Sequence, residues 1–238
     1  MLKELKAQLY RLFPTLLLVY IPVFAVLFGL FLLWLLTEAR IADLTRDPLA
    51  VVETALLAIQ RQPVEGIHIL AELNIPLYAG LISNLGVLLW CGAGAICLFT
   101  WALLRRMGAP GPRGAYLCAG LLSILLMLDD LFLLHERVLP MYFGPAEKAL
   151  FAVYGVLALA YVLGYRQFLM RTDWLLLVAA FVLFTVSLGF DFVSEETHIP
   201  QRHFFEDGSK FAGIATWTAY HVRTAAIQLL ALARDVET

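Results

Sequence analysis

The sequence predicts an all-α integral membrane protein, a bundle of about six transmembrane helices in a single domain that covers residues 1–238. The chain is 61% hydrophobic and only 15% charged, whereas roughly 25% charged residues are ordinary in a soluble domain. Its mean hydropathy is +0.81. Six apolar stretches also reach the length of about 20 residues that a helix needs to cross a bilayer. These observations together exclude a soluble domain.

The predicted spans follow one another with short connections. They cover approximately 14–36, 78–104, 115–134, 149–170, 174–193 and 211–232. The first span follows three basic residues, as a secretory signal does, but its apolar run is longer than the 7–15 residues of a cleavable signal. We therefore expect a retained signal-anchor helix.

Basic residues alternate between connections in a way that predicts the orientation. Lys and Arg in short loops are retained on the cytoplasmic side. They occur before span one (Lys3, Lys6, Arg11), after span two (Arg105, Arg106, Arg113), after span four (Arg166, Arg171) and after span six (Arg234). The pattern predicts that both termini are cytoplasmic, in a membrane that we expect to be a bacterial inner membrane.

The first extracytoplasmic connection has its own helical pattern. Within residues 47–76, apolar residues recur at helical spacing from Pro48 to Gln62, and Pro63 would end that helix. We expect a short amphipathic segment that lies on the membrane surface or caps the outer side of the bundle.

Ionisable residues cluster where three predicted spans meet the outer side. The clusters are Asp129, Asp130, His135 and Glu136 at the end of span three; Asp191, Glu195 and His198 at the end of span five; and Glu206, Asp207 and Lys210 at the start of span six. Such residues cost several kcal/mol within a membrane, so they usually face a bundle interior and mark a functional site. We expect an extracytoplasmic cavity there.

Helical spacing predicts which of these side chains share a face. Asp129 and Glu136 are seven residues apart and would lie on nearly one face, two turns from each other. Asp130 would share a different face with Ser123. Asp191 and Glu195, four apart, would stack on one face of span five.

Seven carboxylates cannot all stay ionised in a low dielectric, so protons or a cation must neutralise some of them. Oxygen ligands favour Mg, Ca or Mn, and histidines would admit Zn or Fe. The predicted ligands of a divalent metal ion of open identity are Asp129, Glu136, Asp191, Glu195, Glu206, Asp207, His135 and His198. Glu195 and His198 also have the spacing of the Glu-x-x-His motif of di-iron bundles, which use that motif twice.

The function that these residues favour is a metal-dependent, hydrolase-like membrane enzyme that acts on a lipid or amphiphile. One carboxylate would be the general base toward a metal-bound water, and Lys210 would hold an anionic headgroup or a developing oxyanion. The predicted catalytic residues are Asp129, Asp130, Asp191, Glu195 and Lys210.

Two other classes of function stay open. The acidic outer side would also suit a proton- or cation-conducting transporter or channel, with His221 as an inner relay. It would equally suit a non-enzymatic membrane subunit or sensor that docks a partner subunit or forms an oligomer. Membrane lipids are expected partners, whereas the scattered basic residues and a net charge of -2 argue against nucleic acid.

Overall fold

A computed structural model describes residues 2–36, 80–108, 111–143, 147–194 and 202–237 of the chain. The regular elements within these ranges are all helical. The long helices are α1 (Leu2–Leu36), α2 (Leu81–Arg106), α3 (Arg113–Phe132), α5 (Glu147–Leu169), α6 (Trp174–Ser194) and α7 (Arg202–Glu237). A single π-helical turn (Leu134–Val138) and the short helix α4 (Leu139–Phe143) connect α3 to α5.

Five helices are long and apolar enough to cross a membrane. They cover Lys6–Leu36, Leu81–Arg106, Arg113–Phe132, Lys148–Leu169 and Trp174–Asp191. At about 1.5 Å per residue, 20 residues span roughly 30 Å, the thickness of the hydrocarbon core. Helices suit this setting because they satisfy every backbone hydrogen bond within the segment. The first five predicted spans are therefore confirmed as apolar helices.

The helix α1 begins well before its predicted span. It starts at Leu2 and continues through Pro14 and Pro22. The residues before Pro14 are mostly good helix formers such as Leu, Lys, Gln and Ala. The span expected to begin at residue 14 is thus the later part of a longer helix.

The helix α7 is long enough to cross a membrane but is not among the five apolar helices. Its residues 211–217 are all buried, and it packs against α6, α2 and α1. A central helix can carry polar residues such as Lys210 and Arg223 because neighbouring helices shield it from lipid. The predicted amphipathic segment at 47–76 lies outside the described residues.

Small residues bring α2 and α3 close together. A Cβ atom at Gly94 would lie 2.7 Å from Ile124 Cδ1, and one at Gly120 would lie 2.8 Å from Leu98 Cδ2. Interfaces between membrane helices use such small residues because association there depends on close packing. The helix α5 packs against α3 on the other side.

An aromatic core surrounds Trp217 of α7. Its ring lies 6.0 Å from Trp90 and 6.0 Å from Phe181, measured between centroids. Its indole Nε1 donates a hydrogen bond to Ser123 Oγ at 2.9 Å. Many large apolar side chains of α1 and α5, such as Leu18 and Val156, are instead exposed. An apolar surface of this kind suits a hydrocarbon solvent better than water.

Candidate functional site

The backbone breaks sharply where α3 ends, at Phe132. Leu133 adopts a left-handed conformation (φ 52°, ψ 44°), although it is not a glycine. The next five residues, Leu134–Val138, form a single π-helical turn. A left-handed residue with a Cβ costs roughly 1–2 kcal/mol, and strained backbone and π turns both concentrate at functional sites.

This break folds His135 back onto Asp129. The backbone N–H of His135 donates to Asp129 Oδ1 at 3.0 Å, and the ring Nδ1 lies 2.6 Å from Asp129 Oδ2. A carboxylate that contacts Nδ1 fixes the orientation and tautomer of the ring, so that Nε2 is directed away from that carboxylate. Tyr154 of α5 also hydrogen-bonds to Asp129, and Phe151 packs 5.1 Å from the His135 ring.

Asp130 lies at a junction of three helices. Lys210 Nζ of α7 donates to its Oδ1 at 2.6 Å, and Trp90 Nε1 of α2 donates to its Oδ2 at 3.1 Å. Each carboxylate oxygen therefore has a donor from a different helix. A charge-assisted hydrogen bond of this kind is stronger than a neutral one.

The two carboxylates and the imidazole form one buried cluster, which we call the Asp–Asp–His cluster (Asp129, Asp130 and His135). The three residues are 3%, 8% and 6% exposed, in that order. One ligand-type atom from each lies within 4.8 Å of the others. Two carboxylates, one imidazole and the Lys210 ammonium thus lie together. Buried carboxylates in proteins are normally paired or bind a cation.

The donor set is chemically compatible with a divalent metal ion. Two carboxylates and one imidazole can bind Mn, Zn or Fe, and the oxygens alone suit Mg. Lys210 competes for the same place, because its ammonium already neutralises Asp130. Its side chain is 37% exposed, however, so the flexible stem can carry the ammonium into a more hydrated position.

The continuous helix that Asp129 and Glu136 would need in order to share a face is not formed. The predicted shared face required that helix, but α3 ends at Phe132 and the left-handed Leu133 resets the register. His135, one of the predicted ligands, is the buried partner of Asp129. The backbone of Glu136 lies in the π-helical turn, and its side chain lies outside the described part.

The face shared by Asp130 and Ser123 is confirmed. Both residues accept an indole N–H, Asp130 from Trp90 and Ser123 from Trp217. The two indole rings lie 6.0 Å apart between centroids. The seven-residue spacing therefore did identify a stripe of α3 that faces the bundle interior.

The other predicted ligands do not join the cluster within the described residues. Asp191 is half-buried in α6, and Glu206 and Asp207 are half-buried in α7, one turn before Lys210. The metal-compatible group of the described part contains only Asp129, Asp130 and His135. Glu195 and His198 lie outside the described residues. Their ligand and catalytic roles stay predictions.

His221 is buried deep in α7, among aromatic rings. Its ring lies 4.5 Å from Trp217 and 4.9 Å from Tyr220, and it is 2% exposed. Its Nε2 has no hydrogen-bond partner in the described part of the chain. These surroundings fit a packing residue, and its role as a relay stays a prediction.

Sequence reasoning missed two contributors to the site, Trp90 and Tyr154. Both are aromatic residues with a polar atom, placed inside apolar spans. Buried Trp and Tyr usually find a hydrogen-bond partner for that atom. This tendency was the available signal, but it does not say which partner is used.

The fold and the cluster define the class: a protein whose described part is all-helical, with five helices apolar enough to cross a membrane and a buried charged site where α2, α3 and α7 meet. The chain belongs to the family described as Domain of unknown function (DUF8692), whose model matches residues 16–224. No curated protein and no solved structure matches the chain. The function must therefore be argued from the chemistry of the site rather than from the fold.

Proposed function

We propose that the chain is a polytopic membrane protein of six spans, with α7 as the sixth. Both termini would face the cytoplasm, and the Asp–Asp–His cluster would face the opposite side of a bacterial inner membrane. The alternation of basic residues between connections supports this orientation. The 36 residues of α7 are also more than enough for one crossing.

We further propose that this protein is a metal-dependent enzyme, hydrolase-like in its chemistry, that acts on a lipid or amphiphile. One observation carries the proposal: Asp129, Asp130 and His135 offer ligand-type atoms within 4.8 Å of one another, and all three are buried. Buried charges in proteins are normally paired or coordinate a metal. A substrate with an apolar part is favoured because the cluster lies at the ends of apolar helices.

In this proposal the residues divide between binding and proton transfer. Asp129, Asp130 and His135 would hold the metal, and a metal held there would supply Lewis-acid activation of water and of an ester or phosphoester group. A carboxylate of the cluster, or one of the acidic residues of α6 and α7, would accept a proton from the attacking water. Tyr154 and Trp90 keep the two carboxylates in position.

Lys210 would exchange partners when the metal binds. The Lys210 ammonium, once released from Asp130, would turn toward an anionic group of the substrate. Lysine suits such a role because its charge sits on a flexible four-carbon stem. The same lysine would thus stabilise the site without metal and bind substrate in the site with metal.

The experiment is a measurement of metal content in the detergent-purified protein. We expect about one divalent ion per chain, retained through gel filtration in the wild type and lost in Asp129→Asn, Asp130→Asn and His135→Ala. Asp173→Asn, which removes a buried carboxylate at the other end of the bundle, is the matched control and should keep the metal. Loss in Asp191→Asn would add that residue to the ligands.

A correctly folded wild type that holds no metal after incubation with Mg, Mn, Zn and Fe would contradict the metal proposal. Equal loss of metal in the Asp173→Asn control would contradict it as well, because binding would then report folding alone. Ser123→Ala serves as a second control if Asp173→Asn does not fold.

Proton conduction is a second candidate, favoured by one observation. Buried polar side chains continue inward from the cluster, from Ser123 to Thr216 and His221. The groups between Asp130 and Ser123 are however the indoles of Trp90 and Trp217, which donate but do not accept. Proton flux in reconstituted vesicles, abolished by His221→Ala, would support conduction over the enzyme.

A further inference from the structure

A second charged cluster lies at the opposite end of the bundle, and we call it the arginine cluster (Arg11, Asp173 and Arg223). Asp173, in the turn before α6, is almost fully buried. Arg11 of α1 donates to its Oδ1, and Arg223 Nε of α7 donates to its Oδ2 at 2.9 Å. Arg223 also donates to Thr15 Oγ1 at 2.8 Å. One carboxylate thus joins α1, α7 and the turn that follows α5.

The arginine cluster has one positive charge in excess, since two guanidinium groups share a single carboxylate. The side chain of Arg11 is 57% exposed. A guanidinium has five N–H donors in a planar fork that matches phosphate oxygens. Arg171, two residues before Asp173, is also exposed and adds to the positive charge of this end.

Gln8 places an acceptor beside these donors. It precedes Arg11 by three residues, so both lie on the same side of α1. Its Nε2 donates to the carbonyl oxygen of Thr172 at 3.4 Å, but its Oε1 is buried without a hydrogen-bond partner in the described residues. A buried acceptor without a donor costs free energy, so a ligand that supplies an N–H or O–H is favoured there.

In the proposed topology, the arginine cluster would lie at the depth of lipid headgroups. Arg11 lies in the first turns of the apolar segment Lys6–Leu36, and Asp173 lies between the ends of two apolar helices, α5 and α6. Trp174 is half-buried beside Asp173. Tryptophan and basic residues both concentrate at the membrane interface.

We propose that this end of the bundle is a binding site for one phospholipid molecule. The Arg11 guanidinium binds the lipid phosphate, and Gln8 Oε1 accepts a hydrogen bond from a headgroup hydroxyl or ammonium. Arg223 and Asp173 hold Arg11 in place. The site therefore prefers phosphatidylglycerol or phosphatidylethanolamine to phosphatidylcholine, whose headgroup has no N–H or O–H donor. This inference does not depend on the enzymatic role proposed for the Asp–Asp–His cluster.

The experiment measures how far each lipid raises the thermal unfolding temperature of the full chain in detergent. A ligand that binds the folded state alone raises this temperature with concentration. We expect phosphatidylglycerol to give the largest rise in the wild type and phosphatidylcholine the smallest. Arg11→Gln should lose most of the rise, whereas Arg106→Gln, an exposed arginine of α2, should keep it.

For each variant, the rise in unfolding temperature is measured relative to the same variant without lipid, because Arg11→Gln also weakens the contact with Asp173. Gln8→Leu should keep a rise with phosphatidylglycerol but reduce its advantage over phosphatidylcholine. Equal increments in wild type and Arg11→Gln, or no preference among the three lipids, would overturn the proposal. An equal rise with inorganic phosphate alone would also overturn it, since the site would then bind a soluble anion.

Discussion

Lys210 and Asp130 form one ion pair, but they differ in how far each can move when the partner is lost. Asp130 is buried and is held by Trp90, whereas the side chain of Lys210 is 37% exposed. A lysine at the edge of the bundle can reach water along its flexible stem. A carboxylate in the interior cannot reach water in this way.

Removal of each partner should therefore have unequal effects. Lys210→Met leaves a buried carboxylate without its cation and should lower the free energy of unfolding by about 3–5 kcal/mol. Asp130→Asn should cost clearly less, because the ammonium of Lys210 becomes hydrated. Thermal or denaturant unfolding of the two variants, in detergent with a chelator, measures both losses of stability.

The double variant Asp130→Asn/Lys210→Met serves as the control and should recover part of the loss. A divalent metal added to Lys210→Met should restore stability if the Asp–Asp–His cluster binds it, because the metal replaces the missing cation. If Lys210→Met proves no less stable than Asp130→Asn without metal, the ion pair is not what stabilises the buried carboxylate.

At the scale of elements, the junction between α3 and the π-helical turn positions His135. Leu133 is buried and left-handed at once, so its side chain contributes to the core while its backbone is strained. Strain of this kind persists only when the surrounding structure compensates for it. Here the compensation includes the two contacts between His135 and Asp129.

Within a helix, an alanine variant is usually more stable than a glycine variant. At Leu133 this order of stability should be reversed. Leu133→Ala and Leu133→Gly both lose the buried side chain, at a cost of about 2–5 kcal/mol. Only glycine adopts the left-handed conformation without strain, so Leu133→Gly should be the more stable of the two by about 1 kcal/mol. Chemical unfolding of the two variants in the same detergent measures the difference.

Leu122, buried in the middle of α3, is the matched control. There Leu122→Ala should be more stable than Leu122→Gly by about 1 kcal/mol, the ordinary helical preference. If Leu133→Ala is also more stable than Leu133→Gly, then Leu133 is not left-handed in the folded protein.

At the scale of the whole molecule, the two charged clusters lie at opposite ends of the bundle. The Asp–Asp–His cluster joins α2, α3 and α7, and the arginine cluster joins α1, α7 and the turn before α6. The helix α7 contributes to both and packs most extensively against α6, α2 and α1. Although α7 is the least apolar of the long helices, its residues 211–217 are all buried. Its central position in the bundle explains this burial.

The proposed orientation predicts which end can be labelled from outside the cell. Met141 of α4 is exposed near the Asp–Asp–His cluster, and Met107 is exposed just after α2, at the arginine end. With the native cysteines replaced by alanine, Met141→Cys should react with a membrane-impermeant maleimide in intact bacterial cells. Met107→Cys should react only after permeabilisation. The reverse pattern would invert the topology and place the Asp–Asp–His cluster in the cytoplasm.

The amino-acid sequence alone determined the class of the protein and the positions of its charged residues relative to the apolar segments. Apolar runs and their length are properties of consecutive residues, so the first five apolar helices followed without knowledge of packing. The adjacent carboxylates Asp129 and Asp130, so close to an apolar run, likewise indicated a site and the need for a cation.

Only the tertiary structure decided which groups meet. Asp130 contacts Trp90 and Lys210, which are 40 and 80 residues away in the chain. His135 lies against Asp129 because the left-handed backbone at Leu133 ends the helical register of α3. Such partners depend on how helices pack and where they break, and both result from contacts between distant segments. Local spacing describes one helix at a time, so it located the charged ends but could not pair them.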